Sequence, residues 1–231
     1  MNSFFKANFE SASNQTVIAE RAPLPSELRQ SRLPRAVRTA WDTEAPLVAS
    51  ILGAALRNDP VMKWVMNDPK EVWNYFYWMH QKLFAQYDLV HMSRDGKGAA
   101  MWLPPMTTEQ PVNLVKLFGL SLTILKTGGY QGFKHYLSIR KSFEQHHPHE
   151  PHYYLHAIGV RPDFRGRGIG SLLLQEVIER SDRERVKIYT ENTCERSLPF
   201  LQRHGFRVIA KESLPDGGPT VWFMERLPKH H

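Results

Sequence analysis

A single cysteine, Cys194, is all the thiol chemistry this chain offers. No intrachain disulfide can hold it, so stability must come from a buried core, and one thiol fits a reducing compartment. Long apolar runs are scarce too. The longest, 114–125, is interrupted by Lys116 and falls well short of the roughly twenty residues a membrane helix needs. The segment Met1-Asn2-Ser3-Phe4-Phe5-Lys6 lacks an apolar stretch of secretory length, and Glu10 and Glu20 argue against an organellar transit peptide. The expectation is therefore a cytoplasmic chain with no membrane partner. Two phosphate-binding signatures are also missing: the dinucleotide fingerprint needs Gly-x-Gly-x-x-Gly and the P-loop ends in Gly-Lys-Ser/Thr, and the Gly-rich stretch present here follows neither pattern.

What is present suits one domain with trimmings. The 231 residues, 42% of them hydrophobic, can bury one sizeable core. The net charge of +7 is uneven: residues 1–40 carry six basic and three acidic groups, 161–211 carry eleven and seven, and these two segments supply all of it. A basic surface of this kind attracts anionic ligands. No nucleic-acid motif accompanies the charge, so nucleic acid is not an expected partner.

Residues 1–34, rich in Ser, Asn, Pro and Arg with no sustained period, read as a mobile leader or surface arm that Phe4, Phe5 and Phe9 could dock. Residues 35–231 read as the single domain. A strand is expected over 35–40, then a helix capped by Asp42 or Thr43, with Glu44 in its first turn and Leu47, Val48, Ile51, Leu52 and Ala55 at helical spacing. A turn-rich connection over 57–64 follows. Pro69 at the first helical position then opens a helix from 71 to about 87. Its Trp73, Tyr75, Phe76, Tyr77 and Trp78 either pack in the core, the simpler reading, or line an acceptor pocket. Strands at 89–93 and 98–103 flank the hairpin signal Asp95-Gly96. Helices at 111–126 and 133–145, joined by 127–130, form a helical insertion at about 106–150 that bears on specificity or on a homodimer contact. Strands at 153–160, 186–190, 206–212 and 220–226 alternate with helices at 171–180 and 197–203 and the turn 215–218.

The stretch Arg165-Gly166-Arg167-Gly168-Ile169-Gly170 lies between a strand-like and a helix-like run. Glycines there let the backbone approach an anion, and the N–H groups opening the next helix point at it with the positive end of the helix dipole. Preceded by Val160-Arg161-Pro162 and followed by Ser171-Leu172-Leu173, this turn resembles the acetyl-CoA pyrophosphate loop of the GNAT N-acetyltransferase superfamily. About forty residues on, His204-Gly205-Phe206-Arg207-Val208 resembles the family's late helix ending in a Gly-Phe step into the next strand. The resemblance covers 150–226 well and 35–105 loosely. It implies an α/β fold with a mixed, mostly antiparallel central sheet of six to seven strands, helices on both faces, and an opening between the strands at 153–160 and 186–190.

By the same resemblance, acetyl-CoA is the co-substrate and a small-molecule amine the acceptor, acetylated by direct attack in a ternary complex. Ile158, Gly159 and Val160 are expected to offer backbone N–H groups. Arg165, Gly166, Arg167, Gly168, Ile169, Gly170 and Ser171 are expected to hold the pyrophosphate. Asn192, Cys194, Ser197 and Phe200 are expected along the pantetheine arm. Cys194 stands where relatives carry Asn, with Asn192 two residues earlier, so their roles can exchange; the thiol itself is either reactive or a small packing group.

Acetyl transfer needs a neutral amine and donors for the charge that develops on the thioester oxygen. His156 is the candidate base because imidazole titrates near neutrality. The segment 154–160 resembles a family strand in which two histidines relay the amine proton; Tyr154 occupies the first position and His156 the second. The alternative is a packed sheet histidine. Glu191 either contacts the amine as anchor or second base, or is a solvated carboxylate at a loop edge. Leu201 stands where the family's late helix carries the Tyr that protonates the thiolate, which opens the reading of a catalytically weak or silent CoA-binding sensor; an enzyme acting on peptide or protein amines is a further alternative, since loops and the insertion decide the acceptor. His146, His147, His149 and His152 match no metal-site spacing, so no metal is expected.

Overall fold

Alternating buried and half-buried residues along Tyr153–Val160 mark a strand (β4) covered on both faces, and β4 is the middle of a seven-stranded sheet. The computed structural model describes residues 36–66, 68–105 and 114–229. All of these lie in the second of two units, Ser31–His231, the first being Met1–Gln30. The expected leader at 1–34 and the first residues of the helix expected from 111 lie outside the described residues.

The strands are β1 (Val37–Thr39), β2 (Val90–Ser93), β3 (Gly98–Leu103), β4, β5 (Ile188–Asn192), β6 (Arg207–Ser213) and β7 (Thr220–Arg226). Their order is β1-β2-β3-β4-β5-β7-β6. Every neighbouring pair is antiparallel except β4 with β5. One face is covered by α1 (Ala45–Leu56), α2 (Pro60–Val65), α3 (Lys70–Met79) and α4 (Leu114–His146), the other by α5 (Ile169–Glu184) and α6 (Leu198–Arg203). Val48, Ile51 and Leu52 of α1 and Phe76 of α3 are fully buried on the first face, Leu173, Leu174 and Val177 of α5 on the second. Each such side chain contributes roughly 1.5–3 kcal/mol through its removal from water.

Two features of β4 shape the site. It pairs with β5 only at Tyr153↔Ile188 and Tyr154↔Tyr189, and beyond Tyr154 it has a ladder partner on the β3 side alone. Strand backbone groups point alternately to the two sides, so alternate amides of 155–160 face a gap. On the β3 side, Met101 pairs with Ala157 and Trp102 with Leu155, which leaves His156 as the extra residue of a β-bulge.

Several elements depart from the sequence-based expectations. The stretch 57–64 contains α2: Asp59 accepts from Val61 N at 2.9 Å and Met62 N at 3.1 Å, and Pro60 takes the first helical position. Pro69 is the cap of α3 rather than its first residue. The helix expected from Asp42 or Thr43 begins at Ala45 instead. Glu44 closes a 3₁₀ turn by accepting from Trp41 N, and its bidentate bonds from Arg38 pull its carboxyl down to about 2. Leu47 is 40% exposed and not a core residue. β5 starts two residues later than expected, because Val186 is tied to the end of α5 by Val186 N→Ser181 O and Ser181 Oγ→Val186 O. Glu191 and Asn192 therefore belong to the strand and not to the loop after it. The two helices of the insertion run as one length broken at Gly129, whose φ of 63° and ψ of −167° are non-helical.

This insertion docks on α2. A Cβ on Gly128 or Gly132 would lie 2.3 or 2.2 Å from Val65 O. His135 Nδ1 donates to Trp64 O at 2.7 Å while its ring stacks on Trp64 with centroids 3.9 Å apart. The glycines permit this close backbone approach. Gly132→Ala is expected to destabilise the fold by about 1–3 kcal/mol, net of the better helix propensity of alanine, because the helices must part. Thermal unfolding reads this as a fall of several degrees in Tm; an unchanged or raised Tm would show that the contact does not fix the helix.

Candidate functional site

The turn between β4 and α5 is built as a cradle. Gly166 (φ +74°) and Gly168 (φ +79°) sit in the left-handed region, and Gly168 caps α5, so the amides of Ile169, Gly170 and Ser171 open the helix without intrahelical acceptors. A Cβ on Gly170 would approach Phe200 Cζ at 3.1 Å, so a bare backbone is needed where the turn faces α6. Gly159 answers the same need on the other face, where a Cβ would meet Ala55 Cβ at 2.6 Å.

The cations around this turn divide into two kinds. Arg165 is tied to the fold, donating from its guanidinium to Ala55 O at 2.8 Å and to Val160 O at 3.3 Å, which joins the end of α1 to the end of β4. Arg167 is exposed, with its guanidinium 5.1 Å from the Phe164 ring, and Lys97 Nζ lies 4.3 Å from the same ring. Lys97 escaped the sequence analysis because it belongs to the β2–β3 hairpin, far from the turn in sequence.

On the α1–α3–α4 face, where β4 and β5 part, a second cluster forms. His156 Nε2 lies 3.1 Å from Tyr75 Oη, and its ring packs on Phe84 and Tyr154 with centroids 5.0 and 5.8 Å away. Phe84 closes a π-helical turn, His80–Phe84, that continues α3. Burial drives the His156 pKa down to about 4, so the imidazole is neutral at physiological pH. Burial also raises the Tyr75 and Tyr154 hydroxyls, with the Glu191 carboxylate adding to both.

Glu191 is no solvated loop carboxylate: its side chain is 3% exposed and its Oε1 has no hydrogen-bond partner among the described residues. Around it stand Tyr154 and Tyr189, whose hydroxyl pKa values it helps to raise, and His147, whose Nδ1 is 3.7 Å from Oε1. A buried carboxylate oxygen without a donor costs several kcal/mol unless something cationic or hydrogen-bonding arrives.

The fold has counterparts among known proteins. The profile of the Acetyltransferase (GNAT) family matches residues 124–206. This stretch contains the glycine cradle, β5 and α6. Over these residues the chain is similar to the GNAT family of acetyltransferases. Its fold is similar to that of a "histone acetyltransferase HPA2 and related acetyltransferase" from Corynebacterium glutamicum, with a TM-score of 0.61 at 22% identity over 85% of this chain and 97% of that one. The polyamine N-acetyltransferase of Drosophila melanogaster is similar at a TM-score of 0.59 and 16% identity, over 83% and 98% of the two chains. Arylalkylamine N-acetyltransferase 2 of Aedes aegypti gives 0.57 and 16% over 84% and 98%. Among curated proteins, an 80-residue segment is 35% identical to a probable serine/threonine-protein kinase of Dictyostelium discoideum; it spans 34% of this chain and only 11% of that protein.

The GNAT fold brings His156 and Glu191 to a shared partner, Tyr154. Of the residues expected along the pantetheine arm, Asn192, Cys194 and Ser197 form a lock between β5 and α6, while Phe200 packs beside Gly170. Ser197 Oγ donates to Asn192 Oδ1 at 2.5 Å and lies 2.7 Å from Cys194 O, and Asn192 Nδ2 donates to Cys194 O at 2.9 Å. Thr193 Oγ1 fastens this lock to α2 through Asp59. Leu201 is 4% exposed and packs in the α5-side core. Among the described residues no group of three or more His, Cys, Asp or Glu could hold a metal, and no helix is long and apolar enough to cross a membrane. Sequence reasoning favoured core over acceptor pocket for Tyr75 and weighed His147 only as a metal ligand; it missed Tyr189, for which strand parity offered the one signal.

The depressed pKa of His156 carries a stability consequence. A histidine in the unfolded chain titrates near 6.5 and the folded one near 4, so the unfolded chain binds the extra proton between those values and stability falls with pH across that window. His156→Gln is expected to lose less stability than the wild type between about pH 7 and about pH 4, read by urea unfolding. Equal losses would show that the wild-type imidazole is not held neutral.

Proposed function

We propose that the protein is an acetyl-CoA-dependent N-acetyltransferase that moves an acetyl group directly to the amine of a small molecule. One observation carries this reading: a buried, unpartnered carboxylate oxygen on Glu191, at the place where β4 and β5 part. Acetyl-CoA, when bound, supplies an acyl carbon activated as a thioester. The turn suits its pyrophosphate, since two left-handed glycines, the opening amides of α5 and the Arg167 and Lys97 cations meet there. The amides of β4 that lack a β5 partner stand ready as donors to the thioester oxygen, and a preorganised donor of this kind typically contributes several kcal/mol in the transition state.

On the acceptor side, Glu191 holds the incoming ammonium and takes its proton. Tyr154, Tyr189 and Tyr75 wall the site and keep water out. His156, neutral and bonded to Tyr75 Oη, orients that hydroxyl and is available to accept a proton as the nitrogen attacks. A small-molecule acceptor is supported by similar folds named as polyamine and arylalkylamine N-acetyltransferases.

The test is release of free thiol from acetyl-CoA in the presence of a panel of primary amines. Acceptor-dependent release is expected, and Glu191→Gln should lower kcat/KM for the amine by about a hundredfold or more while leaving the affinity for CoA unchanged. Gly168→Val, forced into the left-handed region, should weaken CoA binding at least about tenfold. Binding of CoA without thiol release by any amine would instead identify a silent sensor.

A further inference from the structure

His147 is the first residue after α4, its N–H bonded to Phe143 O at 2.9 Å. Its ring is wedged against three others, with centroid distances of 4.7 Å to His152, 5.5 Å to Tyr154 and 5.3 Å to Tyr189. One side of the imidazole faces Glu191 Oε1 at 3.7 Å, yet the side chain is 44% exposed while that of Glu191 is 3% exposed. His147 is thus the polar group that spans from the buried carboxylate to water.

Acetylation needs such a span. The acceptor arrives as an ammonium, and the buried Glu191 can take one proton and no second until the first has left. The other titratable groups nearby are poor exits. His156 is buried against Tyr75 and Phe84. The hydroxyls of Tyr154 and Tyr189 are raised by burial and by Glu191 and hold their protons. His152 is 7% exposed, held down by burial, and its Nδ1 donates to Glu150 O. His146 is stacked on Phe223 and sits beside Glu212, with its Nδ1 on Ser142 O. The remaining charges on this side, Glu150 and Lys187, pair with each other at the surface, and His149 is exposed.

Resting on the amine-acetylation reading of the site, we propose that His147 is the proton exit of the acceptor pocket, carrying the amine proton from Glu191 to solvent. The ammonium N–H bond breaks as an O–H bond forms on Glu191. With the acceptor bound and the 3.7 Å separation closed to hydrogen-bond distance, that proton passes to His147 Nδ1, restoring the carboxylate; the imidazolium gives the proton on its other nitrogen to water, and exchange with solvent returns the ring to the tautomer with Nδ1 free. The acceptor is left as a neutral amine, and no oxidant or reductant takes part. His147 acts through Glu191 and does not touch the acceptor, so it is a positioning and relay residue rather than a catalytic one.

The experiment compares wild type, His147→Ala and His147→Gln with a saturating amine in dilute buffer. Both variants should lose kcat on the order of ten- to a hundredfold, within the range for a positioned proton-transfer group, with little change in amine KM. Because the position of the His147 side chain is open to water, added imidazole should restore most of the His147→Ala rate and leave wild type unaffected. Full activity of both variants in dilute buffer, or a loss that imidazole does not restore in a folded variant, would overturn the proposal. A readout independent of turnover is the NMR spectrum of the His147 ring at fixed pH, whose signals should move in Glu191→Gln because the two side chains face each other; unmoved signals would show that the two groups are not coupled. If wild type acetylates no amine, the functional reading fails and the relay falls with it. A wild type that is active beside fully active His147 variants removes the relay alone.

Discussion

The parting of β4 from β5 is the constraint on which the rest of the molecule depends. Two parallel strands joined over only two pairs, Tyr153↔Ile188 and Tyr154↔Tyr189, leave a wedge that a continuous sheet would not have. Everything with chemical character collects on its edges. The glycine cradle opens α5 at the far end of β4, His156 stands in the bulge on the β3 side, and Glu191 projects from β5. The wedge is held open from both sides. Arg165 ties α1 to the end of β4, and the Asn192–Cys194–Ser197 lock, fastened to the α2 cap through Thr193 and Asp59, fixes the end of β5.

Burial sets the protonation states that the chemistry needs. The same dry surroundings that hold His156 neutral raise the tyrosine hydroxyls, and they leave Glu191 with an oxygen that no described donor meets. Such an oxygen is satisfied by a group that brings a positive charge or an N–H donor. The helical insertion completes it: α4 is pinned to α2 by glycine contacts and by the Trp64–His135 stack, and its far end delivers His147 to the carboxylate.

Much of this was legible in the residues. The strand–Gly turn–helix succession and the Asp95-Gly96 hairpin follow from local signals that act over a few residues, while the mostly antiparallel sheet was implied by the resemblance to the GNAT superfamily. Other features were not local. The π turn that places Phe84 on His156, the bulge at His156 and the partnership of Tyr75 with that histidine depend on packing between elements some eighty residues apart. The start of β5 was misread because Val186 and Lys187 have strand character, while the Ser181–Val186 bonds that claim Val186 for the helix end leave no mark in the sequence. α2 was read as a turn since Asp59-Pro60 signals both, and only the buried Val61 and Val65 decide in favour of a helix. The four histidines from 146 to 152 matched no metal-site spacing in the sequence, and three of them, His146, His147 and His152, are packed against aromatic rings of the sheet.

The account stands or falls on whether the wedge and its cradle hold acetyl-CoA, and calorimetric titration of the purified chain with acetyl-CoA at low and high salt tests this most directly. It predicts one site per chain in the micromolar range, weakened by salt because cations at the turn meet the phosphates. A folded chain that takes up no acetyl-CoA at either salt concentration would contradict it.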